Sequence, residues 1–289
     1  MSAATKHGVL LNSPKRFAIP QIVWMGLFVV APIILIVVYA FTNSAGEFTL
    51  ANFSTMYFYV PIFTRSFRLA FISTVICIVI GYPIAYILAR EGLRVQRMML
   101  MLIMLPMWMN FLLRTYAWMS ILEYTGLFNR FLIFVGLPTL RLINTPTAVV
   151  IGMVYNFLPF MILPIYSVIV KIDRSLYEAA ADLGAGPFSV FRKLVVPLSI
   201  PGIVSGVIMV FVPSLSTFVI TRLLGGQMVI MLGDLIEMQF LGAAFNPHLG
   251  SAIALVMMFI VIFFMLVVSR FGEQSIAAAG GGRIIKGRE

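Results

Sequence analysis

Charged residues are scarce in this sequence: Lys, Arg, Asp and Glu make up 10% of its 289 residues, whereas hydrophobic residues make up 61%. Soluble domains carry about 25% charged residues, so this composition excludes a water-soluble enzyme of one or two domains. Cysteine occurs once, at Cys77, which excludes an internal disulfide and a metal site built from several thiolates. The two histidines, His7 and His248, are too few and too far apart for a metal motif. The sequence therefore predicts an integral membrane protein that binds no metal.

Motifs for nucleotide hydrolysis and other catalysis are also missing. The run Gly280-Gly281-Gly282-Arg283 is rich in glycine but lacks the Gly-Lys-Ser/Thr element of a phosphate-binding loop. No Ser/His/Asp set, carboxylate pair or H-E-x-x-H segment stands out. We therefore expect no catalytic residue and no cofactor bound by this chain, and any ATP-driven process needs a motor on another polypeptide.

Six long windows without charge are present, and they predict an all-α fold with six transmembrane helices. A helix needs about 20 apolar residues to cross the bilayer core of about 30 Å. One window, 98–113, has 16 residues and spans only about 24 Å. Its helix must therefore continue past Arg114, with the arginine snorkelling or facing protein. The predicted helices cover roughly 19–41, 69–89, 98–121, 146–170, 200–221 and 250–269.

The distribution of Lys and Arg predicts the orientation of these helices. If the N-terminus is cytoplasmic, 14 of the 20 basic residues lie on cytoplasmic segments and 6 on outer segments. This asymmetry favours cytoplasmic tails at both ends, 1–18 and 271–289, around a transmembrane domain at 19–270. The net charge of +10 is thus mainly a topology signal, and no nucleic acid partner is expected. The first window is too long for a signal-peptide core and predicts an uncleaved helix.

The cytoplasmic loop 171–199 carries the most specific local signals. Ser175 and Glu178 have the spacing of a capping box, which predicts a helix that starts near 176. Gly184 suits the left-handed residue after its end, and Pro187 suits the first position of a second helix, which Pro197 would stop. Two such short helices are marginal alone in water, so their apolar faces must dock on the lipid headgroups or on a cytosolic partner. The pattern leaves both alternatives open.

The same loop resembles the EAA loop of bacterial ABC-importer permeases, written EAA-x3-G-x9-I-x-L-P. The match departs from it only by Leu194 for Ile and Val196 for Leu. The resemblance implies a type I ABC importer permease fold in which the loop docks on an ATPase subunit. It assigns ATPase coupling to five matching residues, namely Glu178, Ala179, Ala180, Gly184 and Pro197.

Further segments resemble the spermidine/putrescine permeases, and in particular their first-subunit type. They are Gly81-Tyr82-Pro83-x-Ala85-Tyr86, the run 158–164, Pro213-Ser214-Leu215 and Leu224-Gly225-Gly226. The resemblance implies a bacterial inner-membrane subunit that forms half of a path for polyamines. Its implied partners are two ATPase copies with their ATP and Mg²⁺, a second homologous permease, an extracytoplasmic polyamine-binding protein and membrane lipid.

A polyamine path should offer aromatic faces and amide oxygens to a cation. Trp108, Asn110, Tyr155 and Asn156 meet this description in predicted helices 3 and 4, although each is also compatible with simple packing. On the outer segment 223–249, Asp234 and Glu237 are spaced to lie near each other on a helix. They are candidates to attract cations or dock the binding protein, and a merely solvated face is an equal alternative.

Other functions fit the sequence less well. Related permeases carry sulfate, ferric iron, thiamine or phosphonates, so another small solute is the first alternative to a polyamine. A stand-alone secondary transporter or channel should show inverted repeats or a carboxylate at mid-membrane, and neither is evident. A membrane enzyme is disfavoured by the missing catalytic set.

Overall fold

The computed structural model of the protein describes residues 14–242 and 245–280. Within these ranges the structure is helical, and its one β-type pairing is the isolated bridge between Thr42 and Phe48. The α-helices are α1 Pro14–Met25, α2 Ala31–Ala40, α3 Ala51–Thr55, α4 Val60–Arg90, α5 Leu93–Trp108, α6 Phe111–Leu122, α7 Leu127–Phe134, α8 Pro146–Ile169, α9 Arg174–Asp182, α10 Pro187–Val190, α11 Val196–Ser216, α12 Leu232–Leu241 and α13 Pro247–Gly280. Short 3-10 or π-helical turns join several of them, at Gly26–Val30, Met56–Tyr59, Phe191–Val195 and Thr221–Gly225.

The described residues provide five helical spans and one broken span, which agrees with the six predicted segments. The five spans are long and apolar enough to cross a bilayer and cover Pro20–Ala40, Ala51–Arg90, Pro146–Ile169, Pro187–Ser216 and Pro247–Arg270. The broken span is the third in chain order and consists of the pair Leu93–Trp108 and Phe111–Phe134, bent by 91°. Residues 1–13 and 281–289 of the predicted tails lie outside the described residues.

The third predicted helix, 98–121, is wrong as a continuous element. The backbone is extended at Met109 and Asn110, and the Asn110 side chain accepts hydrogen bonds from the amides of Leu112 and Leu113 to start a new helix. Asparagine is a strong N-cap, and this local preference interrupts the apolar run. Arg114 is buried against the Phe111 ring, so this arginine faces protein, one of the two predicted alternatives.

The fifth span also differs from its predicted limits of 200–221, because helical structure runs without a stop from Pro187 to Ser216. The prediction that Pro197 ends the second loop helix is wrong. A π-helical turn at Phe191–Val195 shifts the hydrogen-bond register, and Pro197 then lies in the first turn of α11, where its missing amide costs little. The loop is therefore continuous with a transmembrane helix.

Helix α8 forms the centre of the molecule and packs against α4 and α11. Small residues allow these helices to approach closely. A Cβ on Gly202 of α11 would lie 2.8 Å from the carbonyl oxygen of Pro164 on α8. Helix α13 packs on the outer side of α11 and in turn contacts α2. In α2 only Ala40 is buried, so the first span presents nearly its whole apolar surface outward.

Candidate functional site

The loop 171–199 is named the inner loop after its predicted side, and its first helix, α9, starts from a cap that differs from the predicted one. The Asp173 side chain accepts a hydrogen bond from the Ser175 amide at 3.0 Å, so the helix begins at Arg174. Ser175 is already inside the helix and the predicted capping box is wrong. Glu178 instead lies 3.6 Å from the Arg174 guanidinium with both side chains largely exposed. Aspartate directly before a helix is a standard N-cap signal, so the sequence does contain a local signal for this cap.

The end of α9 is built as the sequence predicted. Gly184 has a φ of +75°, the left-handed conformation that glycine adopts without strain. Its amide donates to the Ala181 carbonyl at 2.8 Å, and the Ala185 amide donates to the Ala180 carbonyl at 3.0 Å. This pair of bonds is a Schellman motif. It closes α9 and fixes the direction in which the chain enters α10, which begins at Pro187.

The elbow between α9 and α10 presents uncovered apolar side chains. Leu183 is 87% exposed and Phe188 is 74% exposed, whereas Val190 and Val195 are buried against the bundle. Glu178 and Ala179 of the EAA segment are exposed, and Ala180 is half-buried. The loop therefore keeps one side on the membrane helices and offers a surface of its own to another molecule.

The path candidates on the broken span lie at its break. Trp108, the last residue of α5, is 81% exposed. Asn110 is exposed as well, and its side-chain oxygen is used to cap α6. The last turn of a helix leaves carbonyl oxygens without intrahelical partners, and these form the negative end of the helix dipole. The break thus places an aromatic face beside partly free carbonyls.

The candidates on α8 occupy different surroundings. Tyr155 is half-buried with its ring centroid 5.2 Å from that of Trp118. Asn156 is buried, and its Nδ2 donates to the Gly152 carbonyl at 2.9 Å while its Oδ1 has no hydrogen-bond partner. Among the described residues, no hydrogen bond or ring contact joins these two side chains to Trp108 or Asn110. The four path candidates therefore form two separate groups, one at the break after α5 and one on α8.

The segment 223–249 is named the outer segment after its predicted side, and its candidates Asp234 and Glu237 lie in different environments. Asp234 is buried and accepts hydrogen bonds from Thr221 Oγ1 at 2.7 Å and from the Met231 amide at 2.9 Å. Burial raises the pKa of Asp234 above its ordinary value, although these hydrogen bonds lower it in part. Glu237 accepts a hydrogen bond from Arg222 at 2.6 Å. The expectation that Asp234 offers an outer contact is wrong, because this carboxylate is used inside the chain to start α12.

The segment Leu224-Gly225-Gly226 holds this outer region onto the start of α8. The Leu224 carbonyl accepts a hydrogen bond from the Asn144 amide at 2.8 Å. Gly226 has a φ of +56°, and a Cβ there would lie 2.5 Å from the Asn144 side-chain oxygen. A Cβ on Gly225 would meet Val149 of α8 at 2.8 Å. Glycine is therefore required at position 226 mainly for its backbone conformation and at position 225 because there is no space for a side chain.

Residues 81–275 match the family described as binding-protein-dependent transport system inner membrane component. This range includes the loop 171–199, the central helices α8 and α11 and most of α13. The chain belongs to this family. The permease is therefore a transport subunit rather than an enzyme, and its long apolar helices make it a multi-pass membrane protein.

Named relatives cover most of the permease. It is 36% identical over 253 residues to the spermidine/putrescine transport system permease protein PotB of Haemophilus influenzae, which covers 83% of this chain and 88% of the relative. It is 35% identical over 254 residues to the protein of the same name from Escherichia coli, with 84% and 92% covered. It is also 31% identical to the inner membrane ABC transporter permease protein YdcU of Escherichia coli, with 78% and 77% covered.

Solved structures confirm the fold. A chain of a bacterial ABC transporter involved in the import of the acidic polysaccharide alginate superimposes with a TM-score of 0.77, covering 90% of this chain and 94% of that one. The two share 15% identity, so this likeness concerns the fold. The predicted type I ABC importer permease fold is thereby confirmed, together with the family resemblance drawn from the loop.

Proposed function

We propose that this permease forms half of the translocation path of an ATP-driven importer for polyamines such as spermidine and putrescine. The observation that carries the proposal is the identity of 35–36% to two spermidine/putrescine permeases over more than four fifths of the chain. A second homologous permease would supply the other half of the path. Lipid and this second subunit would cover the apolar surfaces that the chain leaves open, such as most of the first span.

The inner loop is the proposed contact with the ATPase. Its elbow exposes Leu183 and Phe188, and Glu178 stands on an exposed face of α9. Two ATPase copies would bind ATP and Mg²⁺, and their closure would push the loop. Because α10 is continuous with α11 through the π-helical turn, such a push would be passed into the transmembrane bundle. Gly184 and Pro197 would shape this connection, and Ala179 and Ala180 would permit close approach.

The break in the third span supports a cationic substrate. The Trp108 ring and the carbonyl end of α5 would both attract an ammonium group. Helix α5 has 16 residues and extends about 24 Å, so the break lies well across the membrane from the start of α5 at Leu93. The unpaired oxygen of Asn156 is a further acceptor inside the bundle.

The proposed setting is the bacterial inner membrane with both termini cytoplasmic, as the distribution of Lys and Arg favours. An extracytoplasmic polyamine-binding protein would deliver the substrate to the outer side. A structural relative solved with a periplasmic protein that carries an alginate pentasaccharide supports this arrangement. Nucleic acid has no part in the proposal.

Transport by the purified complex tests the proposal. A tag on this chain should co-purify an ATPase, and the complex is then reconstituted in proteoliposomes with ATP enclosed and its binding protein outside. We expect uptake of radiolabelled spermidine that excess putrescine inhibits and that thiamine and sulfate leave unchanged. Inhibition by thiamine or sulfate alone would move the substrate to another solute. Spermidine uptake without any ATPase in the particle would overturn the ATP-driven mechanism in favour of a secondary transporter.

A pair of tryptophan variants tests the substrate path. Trp108→Ala should raise the spermidine KM by about two- to tenfold, since it removes one cation–π face. Trp24→Ala is the matched control, because Trp24 is 60% exposed on the first span and lies far from the break in sequence. Equal effects of both substitutions would contradict a substrate contact at Trp108.

A further inference from the structure

The coupling helix α9 has little apolar attachment to the membrane helices. None of its residues is buried, and among them only Tyr177 and Ala180 reach intermediate burial. A cleft of about 530 Å³ opens between α9 and the inner ends of α4 and α8. Ala89 and Arg90 line it on one side, and Tyr177 lines it on the other. Apolar packing of α9 on the bundle is therefore concentrated at Tyr177.

One side chain crosses this cleft between two aromatic faces. Arg90 is the last residue of α4, and its guanidinium carbon lies 4.8 Å from the ring centroid of Tyr86 on the same helix. The same carbon lies 5.6 Å from the ring centroid of Tyr177 on α9. Both distances are within the range in which a ring face attracts a cation. A planar guanidinium can stack on two rings at once, which an ammonium does less well.

The aromatic contacts continue from Tyr86 into the start of the next transmembrane helix. The Phe191 ring, in the π-helical turn before α11, meets Tyr86 edge-on at 5.0 Å and Tyr82 at 5.7 Å. The hydroxyls of Tyr82 and Ser199 of α11 are hydrogen-bonded at 2.8 Å. These contacts give a role to the segment Gly81-Tyr82-Pro83-x-Ala85-Tyr86, which the function proposed above leaves unexplained.

We propose that Arg90 is a positioning residue that fixes the coupling helix on the end of α4. Arg90 contacts Tyr177 of α9 and Tyr86 of α4, so a movement of α9 also moves α4. Phe191, which contacts Tyr86, transmits this movement to α11. Without Arg90, α9 is held by the apolar packing of Tyr177 and by its chain ends, and it moves without moving both helices. This inference rests on the proposed function for its effect on transport, although the contact itself can be tested without transport.

The other nearby arginines do not share this arrangement. Arg174 also lines the cleft, but it lies beside Glu178, and among the described residues it makes no cation–π contact. Arg94 is exposed in the first turn of α5, and no ring contact involves it among the described residues. Arg94 is therefore a matched control: it is an arginine near the same inner boundary without the two aromatic faces.

Hydrogen exchange of the full chain in lipid nanodiscs tests the contact. Arg90→Gln and Tyr177→Leu should each speed amide exchange in 174–183 by about two- to fivefold, the range expected for one exposed cation–π contact. Exchange in 146–169 should not change. Tyr177→Phe keeps the ring and Arg94→Gln leaves the contact intact, so both should exchange like the unmodified chain. Unchanged exchange in 174–183 of Arg90→Gln would overturn the inference.

The ratio of ATP hydrolysed to solute transported tests the consequence in the reconstituted complex. Arg90→Gln should raise this ratio by about two- to fivefold with hydrolysis maintained, and Arg90→Lys should restore part of the loss. A parallel fall of hydrolysis and uptake, with the ratio unchanged, would indicate only damaged assembly and would overturn the positioning role. If the unmodified complex shows no ATP-dependent uptake, the proposed function fails, and the exchange experiment still decides whether Arg90 holds α9.

Discussion

The inner loop and the outer segment differ in how they use their carboxylates. In the inner loop, α9 has no buried residue and Glu178 is exposed beside Arg174. In the outer segment, α12 buries half of its ten residues, and Asp234 is enclosed with two hydrogen-bond donors. Similar charge patterns in the sequence thus serve different purposes. The outer carboxylate accepts hydrogen bonds that fix the start of α12, whereas the inner one is exposed at the surface of the loop.

Glycines show the same contrast. A Cβ on Gly184 of the inner loop would meet no atom within 4 Å, and glycine is needed there for its φ of +75°. A Cβ on Gly233 of the outer segment would collide with the Ser216 carbonyl oxygen and lie 2.6 Å from the Thr217 carbonyl oxygen. Gly184 thus determines the direction of the chain between α9 and α10, whereas Gly233 allows two backbone segments to pack closely.

Gly233→Val should have the largest effect, because backbone atoms cannot move aside as a flexible side chain can. We expect loss of more than about 3 kcal/mol of stability, in the range of severe overpacking, and little folded protein after extraction in detergent. Size-exclusion chromatography of a fluorescent fusion would measure the folded fraction. A normal monodisperse peak for this variant would contradict the closed packing of the outer segment.

Gly184→Val should instead leave the protein folded and inserted. The left-handed conformation strains a β-branched residue by about 1–3 kcal/mol, and this strain is confined to the elbow. We expect the α9–α10 angle to change and uptake to fall by about tenfold, while the complex still hydrolyses ATP. Gly92→Val is the matched control, since Gly92 also has open space but a negative φ. Normal uptake by Gly184→Val would remove the role of the elbow angle.

Glu178→Lys should uncouple hydrolysis from uptake without changing thermal stability. The Arg174–Glu178 pair is exposed, and exposed pairs contribute little to folding. Reversal of the charge should weaken the proposed ATPase contact and lower uptake several-fold. Asp182→Lys, which changes an exposed acid at the C-terminal end of the same helix, is the comparison. A similar loss in both would point to the overall charge of α9 instead of the EAA glutamate.

The sequence predicted the features of both regions that depend on neighbouring residues. Apolar windows gave the number of spans, since each helix satisfies its own backbone and needs only length and composition to cross a bilayer. Gly184 and Pro187 were placed correctly because end signals of helices act within a few residues. Asn110 carried an equally local signal, and it was missed because the apolar run around it was given more weight than the cap.

Contacts between distant segments were not predictable. The partner of Asp234 is Thr221, 13 positions away, and the spacing of Asp234 and Glu237 on one helix gave no sign that only one of them is buried. Tyr177 lies 87 positions after Arg90, so no sequence spacing indicates their contact. Burial and pairing of this kind arise from packing, which a single sequence does not display.

The effect of Asp234→Asn on stability should depend on pH, which tests whether this side chain is enclosed. Burial raises the pKa of Asp234 in the folded state above its value in the unfolded chain. The folded state therefore binds the proton more tightly, and this contribution to stability is complete below the unfolded pKa and is lost as the pH rises through the folded pKa. The difference in melting temperature, unmodified permease minus Asp234→Asn, should therefore increase as the pH falls from neutral towards the ordinary pKa range of an aspartate. A constant difference over this range would show that Asp234 is not enclosed in solution.

Glu237→Gln should have the smallest effect, although its carboxylate lies on the same helix as Asp234. The Arg222–Glu237 hydrogen bond is short at 2.6 Å; the Glu237 side chain is 18% exposed, but that of Arg222 is 58% exposed, so water and salt reach the pair. Exposed ion pairs contribute below about 1 kcal/mol, and salt screens them over about 3 Å at 1 M. We expect a small drop in melting temperature at low salt that disappears at about 1 M NaCl. A loss that persists in high salt would mean that the Glu237 carboxylate is enclosed in the folded outer segment, as that of Asp234 is. Both carboxylates of α12 would then contribute to folding, and neither would be open to another molecule.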